Sequence, residues 1–175
     1  METIKTISLR KSVRAYKPEP IPEEALKIII QAGFKAPAAS GRYDLLHITV
    51  VQNPEALKQI ADAAAEVVYR AIQIRKNMDF GAPTLILVSS TPAMMPGIEY
   101  ANAACVLENM VLAAADQGVD SILWGGAAAA VKQSAVLKEL LHIPAGYEPV
   151  LCASFGYAKE SEPPKEHTIS VNRIK

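Results

Sequence analysis

The chain has 175 residues, with 18 Lys and Arg balanced by 18 Asp and Glu; half of it is hydrophobic, yet only 6% is aromatic. That length suits a single domain over residues 1–175 with a core that needs no covalent staples. Its neutral balance excludes a nucleic-acid-coating protein and an acidic disordered chain. Cys105 and Cys152 are far apart, form no CxxC and have no His at ligand spacing. A disulfide scaffold and a structural metal site are therefore excluded, and both cysteines read as buried apolar residues. Met1–Lys5 has no apolar leader core, and the longest apolar stretch, 98–115, is broken by Glu99, Asn102, Glu108 and Asn109. The expectation is a cytoplasmic protein with no membrane span and no bound metal.

Taken in chain order, Thr3 to Leu9 reads as a short helix, and Pro18, Pro20 and Pro22 enforce extended backbone after it. Pro22-Glu23-Glu24 opens a helix with apolar positions Leu26, Ile29, Ile30 and Gly33, closed by Pro37. Leu46 to Val51 is β-branched and short, hence a strand. Asn53 followed by Pro54 is a helix cap and first turn, and Leu57, Ile60, Ala61, Ala64 and Val68 continue one face. Thr84 to Ser90 reads as a buried strand. Ile98 to Gln117 is a long helix, apolar on nearly every side and so expected at the centre, with Gly118 ending it. Val119 to Trp124 is a strand running into Gly125-Gly126. Lys132 to Leu141 reads as one amphipathic helix, and Pro149 to Tyr157 as the last strand. The tail from Lys159 onward is polar and belongs on a surface. These elements make an α+β domain of about four strands with the Ala-rich helix as its spine.

Two features bear on chemistry. Lys5, Arg10, Lys11, Arg14 and Lys17 crowd into one segment, with Ser12 in its middle and Glu2 the only acid before residue 19. Guanidinium forks, ammonium groups and a hydroxyl suit a phosphate, although a solvated basic helix face explains the cluster slightly better when it is read alone. Gly125-Gly126 at a strand's C-terminal end allow a flat ligand to approach the backbone and its N–H groups. A tight turn with positive φ is the commoner use of such a pair. No GxGxxG, P-loop, GxSxG or HExxH is present, and His47, His142 and His167 read as structural or solvated. Any catalysis would then rest on a cofactor.

The order Arg10-Lys11-Ser12-Val13-Arg14-Ala15-Tyr16 resembles the R-x-S-x-R-x-[FY] segment of FMN-dependent nitroreductases. The helix through Asn109-Met110-Val111-Leu112-Ala113-Ala114, then Gly118-Val119 and Trp124-Gly125-Gly126, is similar to that family's central helix and glycine turn. Leu140-Leu141-His142-Ile143-Pro144 and Phe155-Gly156-Tyr157 resemble its C-terminal pattern. The resemblance implies a nitroreductase-like α+β fold, with a central mixed or antiparallel sheet flanked by helices, in a homodimer with exchanged tails. It implies one FMN per chain at the dimer interface. Arg10, Lys11, Ser12 and Arg14 would hold the phosphate end, and Gly125 and Gly126 would face the ring. Pro37, Ala38 and Gly41 would reach in from the partner, and Lys165 and Arg173 would come from the tail. NAD(P)H would deliver hydride to the flavin N5, and a small-molecule acceptor such as a nitroaromatic or quinone would take it, so no protein residue is assigned as catalytic. Trp124 is equally placed as core or as flavin neighbour. The family usually carries an N-x-Q-P-W run where this chain has Gly41-Arg42-Tyr43-Asp44-Leu45. That departure keeps a flavin carrier or sensor on the same fold as the alternative.

Overall fold

The computed structural model describes residues 2–93, 95–160 and 163–174. Its elements are α1 (Thr3–Leu9), α2 (Glu23–Gly33), β1 (Leu46–Val51), α3 (Pro54–Ile72), β2 (Thr84–Ser90), α4 (Ile98–Asp116), β3 (Asp120–Leu123), α5 (Gly125–Gln133), α6 (Ala135–Leu140) and β4 (Glu148–Gly156). Local chemistry sets most of these boundaries. Asn53 accepts a hydrogen bond from the Ala56 N–H at 3.0 Å, and Pro54 occupies the first turn of α3, where a missing N–H costs nothing. α4 ends where Gly118 adopts φ +71° and the Val119 N–H reaches back to the Ala114 carbonyl at 2.8 Å.

The four strands form one sheet in the order β1-β2-β4-β3, and every pairing is antiparallel. The expected choice between mixed and antiparallel thus falls to antiparallel. β2 is buried along its whole length, and its side chains alternate between two cores because successive residues of a strand face opposite ways. Ile86 and Val88 meet Ile29, Leu107, Met110 and Phe155 under α2 and α4. Leu85 and Leu87 meet Ile60, Trp124, Val131 and Cys152 under α3, α5 and α6. The protein is therefore a helix–sheet–helix sandwich.

Several expectations change. Lys132 to Leu141 is not one helix. Ser134 leaves helical geometry, and its hydroxyl accepts from the Leu137 N–H, so α5 ends at Gln133 and α6 starts at Ala135. A residue whose side chain caps a new first turn competes with helix continuation. Gly125 and Gly126 make no positive-φ turn; they are the first two residues of α5, driven by the Ala run that follows. α4 is buried along one face only, through Asn102, Ala103, Val106, Leu107, Met110, Val111 and Ala114, while Ala101, Ala104 and Glu108 are exposed. Cys152 is buried, and its thiol donates to the Trp124 carbonyl at 2.8 Å, but Cys105 is only partly covered.

Candidate functional site

The basic segment is held against the edge of the sheet by backbone bonds. Ser12 bridges Ser121 of β3 in parallel, and the Val13 N–H donates to the Ser121 carbonyl at 3.0 Å. Farther along, the Tyr16 N–H bonds the Phe80 carbonyl at 2.9 Å and the Lys17 N–H bonds the Tyr157 carbonyl at 2.8 Å. An otherwise open strand edge is thereby closed by the segment that carries the cations. Burial along that segment separates two roles. Val13 and Tyr16 turn inward onto Ile122, forming a small core of their own. Tyr16 is 1% exposed, and its burial, together with the negative charge of Asp120, pushes its phenol pKa upward. It anchors the segment and stays protonated.

The start of the tail returns to the same place. The Lys159 N–H bonds the Ala15 carbonyl at 3.0 Å, and the Ala158 N–H bonds Asp120 Oδ2 at 2.9 Å. Between segment and tail opens a groove of about 630 Å³ whose polar lining includes Arg10, Lys11, Ser12, Arg14, Lys159, Lys165 and His167. Asp120 lies beside it, with its Oδ1 3.9 Å from Lys11 Nζ. With the Glu160 carboxylate as the one acid among the lining residues, these guanidinium, ammonium, imidazole and hydroxyl groups are of the kinds that suit a phosphate.

Gly125 and Gly126 begin α5 beyond the end of β3. No side chain caps this nine-residue helix, so its first N–H groups present donors and the positive end of the helix dipole. A Cβ at 125 would meet nothing closer than Leu151 Cδ1 at 3.9 Å, so glycine keeps this approach to the backbone open. Trp124 is 8% exposed and packs on Phe80 with ring centroids 5.1 Å apart, which makes it a core side chain. Gly125 is four positions after Ser121, whose backbone pairs with Ser12 of the groove, so the two regions are no more than about 14 Å apart along the chain.

Five of the expected site residues (Arg10, Lys11, Ser12, Arg14 and Lys165) thus line one groove. Arg173 is exposed and is not among the lining residues. Pro37, Ala38 and Gly41 lie in the loop after α2, pinned to α4 where the Ala39 N–H donates to Asn102 Oδ1 at 2.9 Å; within one chain they stand apart from the groove. In that loop Arg42 and Asp44 form a two-bond pair, both at 2.8 Å, which holds the Asp44 carboxyl below its ordinary range. Lys159 and His167 were not expected as lining residues. The signal for Lys159 was its position three residues beyond the last strand, where the chain returns to the basic segment.

The chain belongs to the nitroreductase family, whose model matches residues 7–157. The class it defines is a nitroreductase-type oxidoreductase. A relative from Archaeoglobus fulgidus, named "Putative NADH dehydrogenase/NAD(P)H nitroreductase", is 29% identical over 164 residues, spanning 92% of this chain and 88% of the relative. A crystal structure of a nitroreductase with bound FMN from Bacteroides fragilis NCTC 9343 is 27% identical, with a TM-score of 0.83, over 100% of this chain and 98% of that one. Another, also with bound FMN, from Desulfitobacterium hafniense DCB-2, has a TM-score of 0.86 at 24% identity over 100% of both chains and bears on the fold alone.

Proposed function

We propose that this chain is an FMN-dependent NAD(P)H oxidoreductase. The observation that carries the reading is the groove that Arg10, Lys11, Ser12, Arg14 and Lys165 line together. The residues fit the cofactor: the cations and Ser12 would hold its phosphate, and the uncapped start of α5 would meet the ring. When bound, the flavin supplies hydride acceptance at N5 and hydride delivery to an acceptor, in a ping-pong sequence that starts from NAD(P)H.

The chain's own part is binding and electrostatics. Arg10 and Arg14 offer bidentate forks, which fix orientation as well as charge. The N–H groups of Gly125 and Gly126 would donate toward N5 and O4, stabilising negative charge on the reduced ring. Pro37, Ala38 and Gly41 would contribute from a partner subunit in a homodimer. The exposed apolar residues of α1 (Ile4, Ile7 and Leu9) and the uncovered Ala101 and Ala104 of α4 supply surface for that contact. Acceptors would be nitroaromatics, quinones or similar small molecules, and no protein acid or base is needed for the redox step.

A flavin carrier or sensor without turnover is the second reading, favoured by one observation. The loop at residues 42–44 departs from the family's run and is bridged by the solvent-exposed Arg42–Asp44 pair and by the Tyr147 hydroxyl, which donates to the Asp44 carbonyl at 2.8 Å. The absorbance spectrum of the purified protein tests the main proposal: flavin bands at one FMN per chain are expected. A colourless protein that takes up no added FMN refutes it. Steady-state oxidation of NADH or NADPH with a quinone separates enzyme from carrier.

A further inference from the structure

Asn102 is the polar member of the buried face of α4, set among Ala, Val, Leu and Met side chains. Asparagine is a weaker helix former than leucine, and a carboxamide taken out of water costs free energy unless it is bonded. The bond it makes is long-range in sequence: Asn102 Oδ1 accepts from the Ala39 N–H at 2.9 Å. The turn held in this way is exposed at Pro37, Ser40 and Gly41, and it passes through two consecutive left-handed residues, Ser40 at φ +54° and Gly41 at φ +67°. A serine seldom takes that conformation. Seven positions farther along α4, on the same side of the helix, Asn109 Nδ2 donates to the Ala32 carbonyl at 3.2 Å. α4 therefore grips the chain on both sides of Pro37. Pro37, Ala38 and Gly41 line no part of the groove in their own chain. Asn102 adjoins Ala101, part of the uncovered surface that α4 offers to a second copy.

Resting on the FMN reading above, we propose that Asn102 is a positioning residue for the cofactor site of the partner subunit: it holds the loop 37–41 where that loop meets the FMN of the other chain. The bond is made inside one chain, and its effect is read in the other. Asn102→Leu keeps a branched side chain on α4 and leaves the Ala39 N–H without this acceptor. Ala39→Pro removes the same bond from its donor end. Ala38, at φ −121° and ψ 141°, already has the extended backbone that a residue before proline adopts.

The test co-expresses two differently tagged chains, one with Arg10→Glu and Arg14→Glu, the other with Asn102→Leu. The mixed dimer is isolated, and FMN is titrated into its apoprotein with flavin fluorescence as the readout. One site of that dimer then joins the damaged groove to the loosened loop, and the other site carries neither change. The mixed dimer should bind one FMN with the parent's affinity. Asn102→Leu homodimers should bind FMN roughly threefold to tenfold more weakly than the parent, the scale of one hydrogen bond. Ala39→Pro in place of Asn102→Leu should reproduce both results, and it carries the test where Asn102→Leu does not fold. A mixed dimer with no site of parental affinity overturns the proposal, because a residue acting within its own chain leaves one change in each site. Parental affinity in the Asn102→Leu or Ala39→Pro homodimer, or an FMN-binding monomer, overturns it too. If the parent takes up no FMN, or the doubly charge-reversed homodimer binds FMN as the parent does, the FMN reading falls, and this one with it.

Discussion

Gly156 closes β4 in a space that no side chain can enter freely. A Cβ built there would lie 2.7 Å from Pro83 Cδ, closer than real Cβ atoms approach a carbon, and 3.0 Å from Tyr16 Cδ1, at the tight end of real contacts. The backbone at 156 does not have positive φ, so the cost of Gly156→Ala is steric alone. Pro83 is a ring fused to the backbone just before β2, and Tyr16 is the anchor of the basic segment; neither can swing aside as a long flexible side chain would. Overpacking of this kind costs about 1–3 kcal/mol, and the reduced freedom of the unfolded chain returns about 0.4–1 kcal/mol. The net expectation is a loss of roughly 1–2 kcal/mol, or a fall in Tm of about 2–8 °C for a chain of this length. Gly33→Ala is the matched control, because its Cβ would strike the terminal methyl of Met110 at the end of α2. The clash there is with the far end of a flexible thioether, though one that is itself fully buried, and alanine regains some helix propensity, so that variant should lose less stability than Gly156→Ala. Thermal and urea unfolding of both variants check this. If Gly156→Ala is as stable as Gly33→Ala, the rigid-neighbour argument is refuted.

Other outcomes test separate parts of the molecule. Arg10→Ala should weaken FMN binding by about 1.5–3 kcal/mol if Arg10 makes a charge-assisted bond to the phosphate; unchanged affinity in a fluorescence titration removes it from the site. Ser134→Ala should cost about 1 kcal/mol through loss of the α6 cap, read as a lower urea midpoint at unchanged m-value. Burial pushes the Cys152 thiol up to about 12, so in native protein a thiol reagent should label Cys105 well before Cys152, whose labelling should require unfolding. Because that folded value is raised, the thiol's contribution is complete below the unfolded value near ~8.5. Stability should then decline by up to about 1.4 kcal/mol per pH unit above it, visible in alkaline denaturation. Sedimentation should give a dimer of twice the chain mass, and a monodisperse FMN-bound monomer would contradict an interface site.

Most of the elements were legible in the chain because their signals are local. Asn53-Pro54 announces α3 by capping chemistry, and β1 and β2 are short β-branched or apolar runs between breakers, so their limits match the expectation residue for residue. The Arg10-to-Arg14 cluster was likewise visible, since it is a matter of composition within five positions. What was not legible depended on competition or on distance. Whether Ser134 continues a helix or caps the next one, and whether Gly125-Gly126 turns or starts α5, is decided by the packing of Ala127, Ala128, Ala130, Val131 and Leu137 into the core beneath α3. Local propensity is small beside that burial. The groove itself needed the tertiary structure, because its two walls meet only where β4 brings Lys159 back to Ala15 and β3 holds Ser12. The sequence alone therefore determined which residues carry positive charge and, apart from α5 and the break at Ser134, which segments are helix or strand. Only the fold decided that Lys159, Lys165 and His167 share one space with Arg10 and Arg14 and that Arg173 does not, because long-range pairing is fixed by the sheet and not by neighbours in the chain.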